Sequence, residues 1–129
     1  PDIKIKEMDA RNMKFPKHSF DFISVSTLFS SVIDKEIRFQ IASEISRVLK
    51  PSGIIIYYDL RFNNSYNSNI IGIDKKEINN LFPDMKKKIK KITLLPPLAR
   101  RLGKTTPYLY PLFSMIPLLK SHYVGLFKK

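Results

Sequence analysis

Hydrophobic and polar positions along this chain follow three different periods. Ile3 and Ile5 alternate with Lys4 and Lys6, the two-residue period of a half-exposed strand, so a strand is predicted over Ile3–Met8, ending near Asp9 and Ala10. Pro16 keeps Arg11–Ser19 a loop. The aromatic and β-branched run Phe20–Ser26 predicts a second strand. From Asp34 the period lengthens: Ile37, Ile41, Ile45 and Val48 recur at four, four and three, one apolar stripe on a helix. Asp34 is its expected N-cap, Glu36 suits the positive end of the dipole, and Pro51-Ser52-Gly53 stops it. The third pattern is continuous: Ile54-Ile55-Ile56-Tyr57-Tyr58-Asp59-Leu60 has no alternation and predicts a strand buried on both faces.

Strand, helix, buried strand is a βαβ unit, which implies parallel strands and a right-handed crossover. Beyond it a polar loop covers Arg61–Asn69, a short helix Asp74–Phe82, and a strand Met85–Leu95, broken by Pro96-Pro97. Short helices are expected over Leu98–Gly103 and Tyr108–Ile116, and a closing strand over Ser121–Phe127. At 129 residues, 43% hydrophobic and 26% charged, residues 1–129 read as one α/β unit, a single domain or part of one.

The absence of cysteine excludes a disulfide scaffold, a thiolate metal site and a cysteine nucleophile, and fits a cytoplasmic, reducing compartment. His18 and His122 are too far apart for a helical metal pair, so no metal site is expected. Gly53, Gly72, Gly103 and Gly125 are scattered, so no glycine-rich phosphate loop is present. The net charge of +12 is concentrated at one end: all eleven acids precede residue 85, and eleven bases follow it. An anionic partner (nucleic acid or a membrane surface) is one reading, with Tyr108, Tyr110, Phe113 and Tyr123 interleaved among the bases. The favoured reading is plainer: Lys86–Lys91 protect an exposed edge strand, and Leu109, Leu112, Ile116 and Leu119 pack on the sheet. No secretory signal is visible, and the uncharged stretch Thr105–Leu119, fifteen residues with three prolines, is too short to span a bilayer.

In an open parallel sheet, ligands bind beyond the carboxyl ends of the strands. Three polar groups fall at such ends: Asp9 with Ala10, Ser26 with Thr27, and Asp59 with Arg61, Asn63 and Asn64. Asp9 and Asp59 read equally well as loop carboxylates capping nearby amides and as ligand groups.

Asp9-Ala10, Phe15-Pro16, Ser19-Phe20-Asp21, Leu28-Phe29-Ser30-Ser31-Val32 and Glu44-Ile45-Ser46-Arg47-Val48-Leu49-Lys50-Pro51-Ser52-Gly53 resemble class I S-adenosylmethionine-dependent methyltransferases of the UbiE-like, type 11 group. Ser52 stands where that group usually has a glycine; Leu95-Pro96-Pro97-Leu98-Ala99-Arg100-Arg101 and His122-Tyr123 are also similar. The resemblance implies a Rossmann-like, mostly parallel sheet with one antiparallel strand near the C-terminus, the closing strand inserted beside Met85–Leu95, which becomes the edge. It implies S-adenosylmethionine as cofactor, with Asp9 on the adenine amino group, Ala10 lining the adenine pocket, and Ser26 and Thr27 beside the methionine part. Asp59, Arg61 and Asn63 would face an unidentified methyl acceptor; no catalytic residue is assigned. The family's first strand and glycine-rich loop have no counterpart here. The expectation is therefore a C-terminal portion, from the third strand onward, inactive by itself, with Ile3–Met8 deprived of its neighbours and a sheet edge open to self-association. A tautomerase using Pro1 as base is the competing enzyme class, and the rest of the chain does not resemble one.

Overall fold

The computed structural model describes residues 3–63, 67–94, 101 and 103–129. In order they form β1 (Phe20–Ser26), α1 (Lys35–Val48), β2 (Leu49–Leu60), α2 (Lys75–Leu81), β3 (Lys86–Leu94), α3 (Thr106–Ser114) and β4 (Lys120–Lys128). Tight three-residue turns stand at Phe29–Ser31, Gly103–Thr105 and Pro117–Leu119. The expected helix over Leu98–Gly103 and the Pro96-Pro97 break fall largely outside the described residues.

The α1 helix forms as its pattern requires. Asp34 accepts from the amides of Glu36 (2.8 Å) and Ile37 (3.2 Å), and Ile41, Ala42, Ile45 and Val48 are buried along the stripe. The strand after it begins at Leu49 rather than Ile54: Leu49 pairs with Phe20 and Ile54 with Phe22, so Lys50–Gly53 is an extended excursion opposite Asp21 alone. Pro51, which has no amide hydrogen, lies in that excursion.

The sheet order is β1-β2-β4-β3. β1 and β2 are parallel, and β4 runs antiparallel to both β2 and β3. The closing strand is thus inserted inside the sheet and β3 takes the edge, with Lys86, Lys88 and Lys90 exposed along it. Charged side chains on an edge strand oppose pairing with other chains.

Both parallel connections, β1 to β2 through α1 and β2 to β3 through α2, step in the same direction across the sheet. Right-handed crossovers taken in one direction place their helices on one face. That face carries the core: Val25, Ile55, Tyr57 and Phe127 from the strands meet Ile41, Ile45, Ile78, Leu81 and Phe82, with Phe29 between them. On the opposite face Phe22 is 57%, Ile56 38% and Leu126 52% exposed. The continuous run of β2 is therefore buried on one side only: the residues at odd positions from Ile55 to Asp59 are sealed, and Ile56 is not.

Two further expectations are corrected. Ile3–Met8 is not a strand, and Ile3 and Ile5 are 89% and 93% exposed. An alternating pattern becomes a strand only when another strand takes its hydrogen bonds, and none among the described residues lies beside it. Leu112 and Ile116 do not pack on the sheet; they stand exposed, whereas Leu109, Phe113 and Leu119 turn partly inward. Pro107 starts α3, Pro111 lies inside it and Pro117 follows its end, so the four apolar residues are divided between a nine-residue helix and a separate turn rather than carried on one continuous helical stripe. No described helix is long and apolar enough to cross a membrane.

The N-terminal segment rejoins the fold through α1. Glu44 accepts from the Met13 amide (2.9 Å) and from Arg47 Nε (2.7 Å), while Arg47 donates to the carbonyls of Met13 and Phe15 (2.9 Å each). The Arg47 hydrogen bonds hold the Glu44 carboxyl below its ordinary value, burial opposes this, and the Met13 amide reinforces it. A carboxyl lowered in the folded state stabilises the fold above its unfolded value, and this contribution is lost as pH falls through the folded one. Urea titrations from neutral pH down to about pH 3 should therefore show stability falling on the acid side, with a shallower fall in Glu44→Gln. Identical acid limbs for the two proteins would exclude Glu44 as a contributor.

Candidate functional site

Because β1 and β2 are parallel, their carboxyl ends lie at one end of the sheet, with Ser26 opposite Tyr58. The chain leaves β1 through Thr27, whose φ of 48° is left-handed. A β-branched residue is strained there and persists only where its surroundings over-determine it. Here the Thr27 amide donates to the Tyr58 carbonyl (2.8 Å), and the Ser31 hydroxyl donates to the Thr27 carbonyl (2.8 Å).

Asp59 fixes the turn that follows. It is fully buried, and its Oδ2 accepts from the amides of Phe29 (2.9 Å) and Ser30 (3.3 Å), its Oδ1 from Leu60 (2.8 Å). The carboxylate lies on the helix-covered face and is turned toward the backbone. Tyr57, stacked on Phe29 at 6.2 Å and on Phe127 at 5.1 Å, has a buried hydroxyl with no partner among the described residues. Burial, and then the Asp59 charge, push its ionisation far upward, so it remains a neutral phenol.

Arg61 and Asn63 shape the loop after β2. Arg61 Nη1 donates to the carbonyls of Pro117 (2.8 Å) and Lys120 (2.7 Å), and its guanidinium lies over Phe62 and Tyr123. Its Nε is buried without a partner among the described residues. Asn63 Oδ1 accepts from the Gly72 amide (2.8 Å), closing the loop at a point where only glycine fits: a Cβ on Gly72 would overlap the backbone of Phe62. Asn64 lies outside the described residues.

Asp9 stands apart from these groups. It is half exposed, bound by the Arg11 amide (2.9 Å) and Arg11 Nη2 (2.7 Å), and these bonds hold its carboxyl down at about 2. It lines an open groove of about 620 Å³ with Lys6, Glu7, Met8, Asn12 and Lys14. Ala10 is partly buried against the core. The structure thus gathers Ser26, Thr27 and Asp59 at one strand end, with Arg61 and Asn63 in the adjoining loop. No hydrogen bond among the described residues joins Asp9 or Ala10 to that end. His122, to which no site role is assigned from the sequence, stands opposite Leu60, and its ring stacks on Tyr58 (4.7 Å, 6°). Only the family resemblance of His122-Tyr123 marks it in the sequence, and its contact with Tyr58 depends on the insertion of β4.

Polar groups at the carboxyl ends of parallel strands stand where open α/β sheets take their ligands. Solved structures of similar fold include S-adenosylmethionine-dependent methyltransferases. A SAM-dependent methyltransferase from Archaeoglobus fulgidus superposes with a TM-score of 0.67 at 13% identity, covering 97% of this chain and 66% of that one. One from Methanosarcina mazei gives 0.61 at 18% identity, covering 96% and 66%. The cyclase SpnF gives 0.63 at 14% identity, covering 95% and 54%. At these identities the likeness shows the fold alone, and the chain spans less than two thirds of the length of each of these proteins. No curated protein matches the sequence. Residues 1–57 match the methyltransferase domain family, which identifies that stretch with the type 11 group of S-adenosylmethionine-dependent methyltransferases. S-adenosylmethionine is the cofactor of this class.

Proposed function

We propose that this chain serves methyl transfer from S-adenosylmethionine to a nucleophilic acceptor, and that it supplies one side of the cofactor site. The observation supporting this most directly is Thr27, a strained residue at the expected cofactor position, held by Tyr58 and Ser31 and followed by a turn anchored on buried Asp59. Strain retained at such cost in a strand-end loop favours a binding role. The residues fit the group. Asp9 offers an exposed carboxylate that stays ionised and can accept from the adenine amino group, and Ala10 adds an apolar wall. The exposed Ser26 and Thr27 offer hydroxyls beside the methionine portion.

When bound, the cofactor supplies an electrophilic methyl group; this chain's residues align and enclose the reactants. Asp59 acts by fixing the Phe29–Ser31 turn, and Arg61 and Asn63 by holding the loop on the acceptor side. SpnF shares the fold while named for a different reaction, so the fold alone does not fix the chemistry. None of the four glycines forms a loop around the methionine portion, so the chain by itself is expected to hold the cofactor weakly.

S-adenosylhomocysteine titrated into the 129-residue chain tests both halves. Calorimetry should show no micromolar binding, and amide NMR at high ligand concentration should show shifts centred on Asp9, Ala10, Ser26 and Thr27. Micromolar binding would remove the claim of weakness. Shifts absent from those four amides would remove the site.

A further inference from the structure

On the sheet face that α1 and α2 leave uncovered, Ser26, Tyr58 and His122 share the end of the sheet where β1 and β2 terminate. His122 is 9% exposed, pressed flat against the Tyr58 ring. Its protonation state follows from counting hydrogens. The Ser121 hydroxyl lies 3.1 Å from the Thr93 carbonyl and 2.8 Å from His122 Nδ1. A carbonyl oxygen can only accept, so both contacts are hydrogen bonds together only when the single hydroxyl hydrogen goes to Thr93. Ser121 Oγ then has only lone pairs left for His122, and Nδ1 must be the protonated nitrogen. A neutral imidazole has one N–H, so Nε2 carries a free lone pair, and no hydrogen bond to it exists among the described residues. Neutrality is favoured because burial lowers the ring's affinity for a proton, against a smaller opposing pull from Asp59.

The β3–β4 pairing supports the same arrangement. It runs Ile92 to His122 and Leu94 to Lys120 with no pair at Thr93, whose φ of 62° is left-handed. A strained residue therefore presents the carbonyl that orients Ser121, and Ser121 in turn orients His122. A relay of this kind, in which one ring nitrogen is fixed by a fully committed hydroxyl, leaves the other poised as a hydrogen-bond acceptor and base.

We propose that His122 Nε2 is the position that receives the proton of the methyl acceptor, and that the acceptor is accordingly a protic nucleophile, a hydroxyl or an amine. This rests on the methyl-transfer reading. In the step it performs, the acceptor's O–H or N–H bond breaks, the proton moves to Nε2, and the bonding pair stays on the acceptor atom. The ring becomes an imidazolium, with Nδ1–H still donating to Ser121, and later returns its proton to water.

The chain contains two histidines, so a ¹⁵N-imidazole spectrum carries two rings, and His18→Gln assigns the one that remains. At neutral pH His122 should show a protonated Nδ1 and a bare Nε2. Ser121→Thr, which keeps the hydroxyl, should preserve that pattern, and Ser121→Ala should move the proton toward Nε2. A proton on Nε2 in the unsubstituted chain overturns the proposal, as does a Ser121→Thr protein that loses the Nδ1–H form while folded. Phenol and anisole then probe the acceptor position, since they share a ring and only phenol donates a hydrogen bond. Phenol should shift the Nε2 resonance saturably and anisole should not; no response to phenol, or equal responses to both, also overturns it. These readings need no cofactor, so absence of S-adenosylhomocysteine shifts at Asp9, Ala10, Ser26 and Thr27 would count against the cofactor site without being confused with a wrong tautomer.

Discussion

Asp59→Ala should destabilise the chain by about 3–5 kcal/mol, because buried amide hydrogens lose a charged acceptor and gain none in return. Phe29 is fully buried and Ser30 nearly so, which leaves water little access to the amides that Oδ2 now accepts from. Each buried donor left unpaired costs on the order of 1–3 kcal/mol, and two are orphaned together. The loss would spread, since the Phe29 ring packs edge-on against Phe82 at 5.8 Å as well as stacking on Tyr57. Asp59→Asn retains one acceptor oxygen and should cost about half as much. Urea unfolding measures both; an Asp59→Ala chain within about 1 kcal/mol of the original would show that the turn holds without the carboxylate. In a folded Asp59→Asn protein, the Ser26 and Thr27 amides should also respond less to S-adenosylhomocysteine, because the turn that holds them has loosened.

The role of Asp59 shows where sequence reasoning stops. From the sequence, a carboxylate after an apolar strand caps amides or meets a ligand with equal plausibility. The choice depends on whether the β1 turn comes within hydrogen-bonding distance, and that is a tertiary fact. The α1 helix was legible because cap, stripe and stop are local, and β1 because its residues suit a pleated strand. Ile3–Met8 carried an equally regular pattern and is no strand, since a strand's hydrogen bonds belong to its neighbour. The one-sided burial of β2 was hidden for a related reason: a run of apolar residues records what each side chain tolerates, while the handedness of two crossovers decides which face is covered. The place of β4 came from family resemblance, and no local pattern would have supplied it.

The candidate site divides along the same line. Ser26 and Thr27 stand at a strand end that is recognisable in the sequence, yet the left-handed backbone of Thr27 is not, as threonine gives no sign of it. Arg61 and Asn63 were selected for polarity, and their hydrogen bonds run to the backbone of their own and neighbouring loops. His122 acquires chemistry only once β3 and β4 are in register and Thr93 turns its carbonyl toward Ser121.

Arg38→Ala is the second large effect, expected at about 3–5 kcal/mol, and it separates two meanings of a buried ion pair. Arg38 is 4% exposed on α1; its Nε donates to Glu77 Oε1 on α2 (2.6 Å), and its Nη1 donates to the carbonyls of Val32 and Ile33 (2.6 Å each). Removing the guanidinium strands the Glu77 carboxylate, which is only 19% exposed, and frees two carbonyls that stabilise the entry to α1. Lysine places one point charge where a planar fork reaches three acceptors, so Arg38→Lys should recover less than half of the loss. If the pair itself were strongly stabilising, removing both charges would cost at least as much as removing one. Desolvation argues the reverse: Arg38→Met combined with Glu77→Leu leaves no uncompensated charge, and should be more stable than Arg38→Ala by about 1–3 kcal/mol. The double variant falling below Arg38→Ala in urea unfolding would mean that the Val32 and Ile33 carbonyls, rather than the stranded carboxylate, account for the loss. Arg38 would then act chiefly as a clamp on the segment between the Phe29–Ser31 turn and α1.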